Sequence, residues 1–188
     1  YMATESPTCR PSDTQPYVGM FDYFIENDSD YTLIVDNEMA AAAIVAIIKN
    51  SQNVKIYDNG NGLQDKYTPF LTQALQEHVA NGKELCYVHK GKASQEYALH
   101  QTLLRLQGEN SAPGLKLRKA DTIFSEQLRS VCGEEMSFVI GDDMRIYIDK
   151  HETKTEDNKS LIILNSKPAV RPISGQFKHS FDRLTHKN

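Results

Sequence analysis

Four carboxylates bracket one short apolar run, with Glu134 and Glu135 before Phe138-Val139-Ile140 and Asp142 and Asp143 after it. Acidic side chains gathered in this way are the raw material of a hard-cation site. On a strand, however, adjacent side chains face opposite ways, so Glu134 and Glu135 diverge. Asp142 and Asp143 sit in a turn, where Asp is favoured for backbone reasons. Surface and turn carboxylates are the expectation here, with no metal. A second candidate is Asn59-Gly60-Asn61-Gly62, which follows a strand and leads into a helix, the place where phosphate loops lie. It has neither Gly-x-Gly-x-x-Gly spacing nor a Gly-Lys-Ser/Thr ending. A third is His89-Lys90-Gly91-Lys92, again just past a strand; His89 has no nucleophile near it in sequence. Ligands of open α/β sheets bind beyond the carboxyl ends of the strands. Asn59, Asn61, His89, Lys90 and Lys92 are therefore the candidate ligand rim. No residue in these groups calls for a cofactor, and none is expected.

The remaining reactive residues read as structural. Cys9, Cys86 and Cys132 are odd in number and far apart, which suits neither a disulfide framework nor a zinc site. Reduced thiols and a cytoplasmic location are the expectation, with Cys86 packed in a strand. His78 and His100 are expected on helix surfaces or half-buried. Lys167, Arg171, Lys178, Arg183 and Lys187 face only Asp182 near the C-terminus. Such an edge could meet phosphate or an acidic partner, but a solvated helix face explains it as well.

At 188 residues, with 39% hydrophobic and 24% charged side chains, the chain has the length of one domain. A net charge of −4 gives no general pull toward nucleic acid or anionic lipid. No apolar window is long enough to cross a membrane, and no secretory signal is visible. Tyr1, which precedes Met2, is read as an addition to the natural start. Residues 1–19 carry Pro7, Pro11 and Pro16 and few large apolar groups. They predict an extended arm over residues 1–29, with Phe21, Tyr23, Phe24 and Ile25 docking as a short strand or turn. The single domain is expected over 30–188.

Period and punctuation then place the elements. Strands are expected at Leu33–Val35, Val54–Tyr57, Leu85–Val88, Leu115–Arg118, Phe138–Ile140, Met144–Ile148 and Leu161–Leu164. Helices are expected at 38–49, 67–81, 94–107 and around 122–131. Pro168 and Pro172 read as breaks, and the spacing of Phe177, Phe181 and Leu184 gives a short final helix. The order is β-α four times, then three strands and a helix, which implies an α/β fold with a mixed, mostly parallel sheet, the hairpin adding antiparallel edges, and helices on both faces.

This order, and above all the hairpin around Gly141-Asp142-Asp143, resembles a single repeat of the phospholipase D superfamily over roughly residues 30–186. In that family a His-x-Lys-x4-Asp motif is written across the first strand and its turn. Aligning the family Asp with Asp142 places Glu135 at the His position and Ser137 at the Lys position. The resemblance implies a site built from two repeats, in which one His attacks phosphorus and the other protonates the leaving group. Glu135 is itself an anion facing an anionic diester, and Ser137 brings no positive charge. The implied outcome is a degenerate repeat without phosphodiesterase activity that binds a protein partner or a second copy of itself, as a homodimer. Two alternatives stand beside it. One is a hydrolase with a replaced constellation, using Glu135 as nucleophile or base with His89 nearby. The other is a nucleic-acid-binding regulator using the C-terminal basic edge.

Overall fold

The computed structural model describes residues 11–28, 32–35, 37–60, 68–90, 98–109, 112–133, 136–149 and 160–184. Seven strands form one sheet: β1 (Thr32–Val35), β2 (Asn53–Asp58), β3 (Glu84–His89), β4 (Leu115–Lys119), β5 (Ser137–Gly141), β6 (Arg145–Asp149) and β7 (Ser160–Ile163), in the order β1-β7-β6-β5-β2-β3-β4. Pairings β2–β3 and β3–β4 are parallel, and the other four are antiparallel. Following those senses across the sheet, β1, β2, β3, β4 and β6 all run one way, with β5 and β7 interleaved against them. The expectation of a mostly parallel α/β sheet therefore holds for strand direction. β1 runs in the same sense but lies at the far edge, paired among the described residues only with β7.

Alternation along the strands divides the core in two. Val54, Ile56, Leu85, Tyr87, Val139, Tyr147 and Ile162 point to one face. Helices α2 (Asn37–Lys49), α3 (Thr68–Ala80) and α4 (Ala98–Gly108) cover it. The run Ala40–Ala43 is wholly buried, so α2 can lie close to the sheet. Tyr57, Val88, Phe138, Ile140, Ile146 and Ile148 point to the other face, under α5 (Thr122–Cys132) and α6 (Lys167–Leu184). Asp121 caps α5 by accepting the Phe124 N–H at 2.8 Å, and Gly133 ends it at φ 78°. The same Asp121 carboxylate takes both terminal nitrogens of Arg183, at 3.0 and 2.6 Å, tying α5 to α6.

Two expectations are corrected. The arm predicted as extended over 1–29 is helical over Pro11–Glu26, forming α1, while residues 1–10 lie outside the described residues. Phe21 and Ile25, four apart, bury one side of α1 in the core against α2, and Asp22 accepts from Lys49 and Asn50. Tertiary burial outweighs the local signal of Pro11 and Pro16. The final helix is also long rather than short. Pro168 lies in its first turn, where the amide has no intrahelical partner in any case. Pro172 is exposed, so water can reach the carbonyl that its missing N–H leaves unpaired.

Candidate functional site

Because β5 opposes β2, the start of β5 lies beside the end of β2. Asp58, Asn59, His89, Lys90, Lys119, Ser137 and Asp149 thus share one edge of the sheet, the carboxyl edge of its parallel strands. Ser137 is 1% exposed. Its hydroxyl donates to the Asn59 side-chain oxygen at 2.8 Å and accepts the Asn59 N–H at 3.0 Å. Two sequence candidates, Asn59 and Ser137, are therefore joined. Glu135, Asn61 and Lys92 lie outside the described residues, as do Glu134 and residues 150–159.

Asp142 is at the opposite edge. Asp142 and Asp143 occupy the two central positions of the hairpin turn, at φ 50° and 56°. Asp tolerates this left-handed conformation better than most residues. The Asp142 carboxylate accepts the N–H groups of Gln52 and Asn53 at 3.0 and 2.9 Å, which pins the start of β2 to the hairpin. Asp143 bonds the Lys55 ammonium at 2.6 Å and the Ser174 hydroxyl. Burial opposes ionisation of Asp143, but the Lys55 and Ser174 contacts outweigh it, and its pKa lies below the usual carboxylate value. Ser137 and Asp142 do not meet. The hairpin carboxylates hold elements together, as a turn reading implies.

The carboxyl edge also joins His89, a sequence candidate, to Asp58 and His100, which were not singled out as site residues. Asp58 continues the buried face of Val54 and Ile56, and His89 continues that of Leu85 and Tyr87. Polar residues where a buried strand face runs on to the sheet edge were the signal available in the sequence. The Asp58 carboxylate accepts from the Gly60 N–H at 2.9 Å and the Tyr87 hydroxyl at 2.8 Å. Burial raises its pKa against those bonds and against the nearby charge of His100. His100, from α4, meets His89 edge to face, with ring centroids 4.4 Å apart. Burial lowers both imidazoles, His89 to about 4, with His100 and Lys119 adding to the effect there. His78 and His100, expected on helix surfaces or half-buried, lie deeper than either expectation. Both are buried, and the His78 Nε2 bonds the Glu84 carbonyl at 2.7 Å. Cys86 and Cys132 are partly buried free thiols, and burial raises both pKa values. Among the described residues no three His, Cys, Asp or Glu side chains converge to hold a metal.

No protein-family profile matches the sequence, and no curated protein matches it. Solved structures do. The chain superposes on TrmBL2, an archaeal chromatin protein, whose description reports a novel mode of DNA binding. That match has a TM-score of 0.59 at 11% identity and covers 92% of this chain and 60% of the other. It also superposes on Nuc, a phospholipase D family member from Salmonella typhimurium, with a TM-score of 0.53 at 9% identity, covering 81% of this chain and 93% of that one. The fold is phospholipase D-like. No helix among the described residues is long and apolar enough to cross a membrane.

Proposed function

We propose that this chain is a binding domain on a phospholipase D-like frame, a degenerate repeat without phosphodiesterase chemistry that pairs with a second copy of itself. The observation that carries the reading is the closure of Ser137. It stands where the resemblance puts a phosphate-binding Lys, yet it is uncharged, buried and bonded twice to Asn59. A group held in this way has no free donor to offer a phosphodiester. Asp142, the third motif position, is occupied by two backbone amides at the other edge.

The test is turnover of bis-p-nitrophenyl phosphate, phospholipid or DNA, with and without divalent metal. No activity above a buffer blank is expected. Turnover that disappears in Glu135→Ala would instead support the hydrolase with a replaced constellation. The TrmBL2 likeness raises nucleic-acid binding as a further outcome. The net charge of −4 gives no general pull toward it, and Arg183 of the basic C-terminal edge is engaged by Asp121. A salt-dependent shift of labelled DNA, steep enough to count several phosphate contacts, would instead support the nucleic-acid reading.

A further inference from the structure

The two histidines form one end of a groove of about 420 Å³ between α4 and the edge strand β4. Gln101, Leu104 and Gln107 form its helix wall, Lys119 stands on the strand side, and His89 and His100 line it together. Both rings are more than nine-tenths buried, at 5% and 3% exposure. The Nδ1 atom of each has no hydrogen-bond partner among the described residues and is sealed from solvent, as is that of His78 outside the groove. What marks this end of the groove is the pair itself, two touching imidazoles that line an open groove with Lys119 beside them. The chemistry of a ligand there follows from the wall. Lys119 is aligned with His89 across the parallel β3–β4 pair, so an ammonium stands beside the imidazoles. Gln107 adds a neutral donor. The acidic group nearby, Asp58, is buried behind the rings and already bonded to Gly60 and Tyr87.

We propose that this groove binds the oxyanion end of a small ligand, a carboxylate or a phosphoryl group, with Lys119 as counter-charge and the imidazoles of His89 and His100 as donors. The site is separate from the hairpin positions, and it rests neither on self-association nor on the loss of phosphodiester chemistry. A bound anion supplies the negative charge that favours protonated imidazole, so binding draws protons onto the rings. The charged groups around them are Asp58 on β2 and Lys119 on β4, with Arg118 also on the groove wall.

The experiment is a long-range 1H–15N NMR titration of the imidazoles in the full chain. The probes are inorganic phosphate and acetate, each at fixed ionic strength set with sodium chloride. His89 and His100 signals should shift saturably, and the apparent pKa of His89 should rise by about one unit or more, or about tenfold tighter anion binding to the protonated ring. His78, bonded to the Glu84 carbonyl outside the groove, should stay still. Saturation by phosphate at lower concentration than by acetate assigns a phosphoryl ligand, and the reverse order assigns a carboxylate. Lys119→Gln should weaken saturation about tenfold, the loss of one well-placed charge. Lys116→Gln, on the same strand but lining a different groove, should change nothing. The proposal is overturned by no saturable shift with either anion, by an equal shift of His78, or by full binding in Lys119→Gln.

Discussion

At Gly141 a single hydrogen decides whether β5 can pass beneath the end of α2. A Cβ there would lie 2.1 Å from the Ser51 hydroxyl oxygen and 2.9 Å from the Ile47 Cγ2. Gly141→Ala should therefore cost about 1–3 kcal/mol through overpacking. Gly175, inside α6, has open space around its added Cβ, so Gly175→Ala should gain about 0.5–1 kcal/mol. Urea midpoints of the two variants should move in opposite directions; equal shifts would remove the packing explanation. The same scale governs acid stability. His89 titrates at about 4 in the fold against 6.5 when free, so between those values the unfolded chain binds more protons. Stability then rises with pH across that window and is lost toward pH 4. The loss from this ring is at most about 3 kcal/mol. His78 and His100 are lowered too and add in the same sense. Asp58 acts oppositely, because a raised carboxyl pKa makes the fold hold its proton more tightly and subtracts stability as pH climbs above 3.8. His89→Gln should flatten the stability profile between pH 4 and 6.5. An unchanged slope would assign acid sensitivity to other groups.

The hairpin joins a local signal to a long-range one. Turn chemistry at Gly141-Asp142-Asp143 and the alternation of Ile146 and Ile148 were both legible in the sequence, as was each strand. What the sequence did not carry was the Asp142 bond to Gln52 and Asn53, because those amides lie far away along the chain. Asp142→Ala removes an acceptor from two backbone amides and leaves at φ 50° a residue that tolerates the left-handed region less well than aspartate. A loss of about 1–3 kcal/mol is expected. Asp142→Asn keeps an oxygen and tolerates the backbone, so it should lose less. Equal losses in chemical denaturation would mean that charge, not acceptance, is what matters. The histidine groove was legible only in fragments: His89 stood out beside its basic neighbours, but its partner His100 read as a helix-surface residue. Only the packing of α4 on β3 joins them. In α6 the aromatic spacing was clear, while its length was hidden by prolines that stand where a helix accepts them. Phe181 stacks on Phe177 at 5.8 Å and is buried against the sheet. Phe181→Ala should cost about 3–5 kcal/mol, and a change near zero would mean that α6 does not anchor the sheet.

For the whole molecule, the question is which surface a second copy would meet. A partner surface around the hairpin is what the resemblance implied, yet β5 and β6 lie inside the sheet with both faces covered. Only the two ends of the hairpin reach the outside. One is the Asp142–Asp143 turn, whose charges are already taken by Lys55, Ser174 and backbone amides. The other is the carboxyl edge, where Ser137 and Asp149 stand in register. We place the contact at the second, because the carboxylates of the turn brace the hairpin against β2 and α6. Arg145 is buried at the turn end, 3.6 Å from Asp142, so reversing its charge would probe folding rather than pairing. A two-fold contact at the carboxyl edge should bury about 1,200–2,000 Å² in total if it is stable. Light scattering across a concentration series should then give twice the 21.3 kDa chain mass. Glu135→Lys combined with Asp149→Lys should change the dissociation constant, since a two-fold axis sets each charge near its own copy. A mass of one chain at every concentration would reject the dimer. A dimer indifferent to both substitutions would keep the oligomer and move its interface to another face.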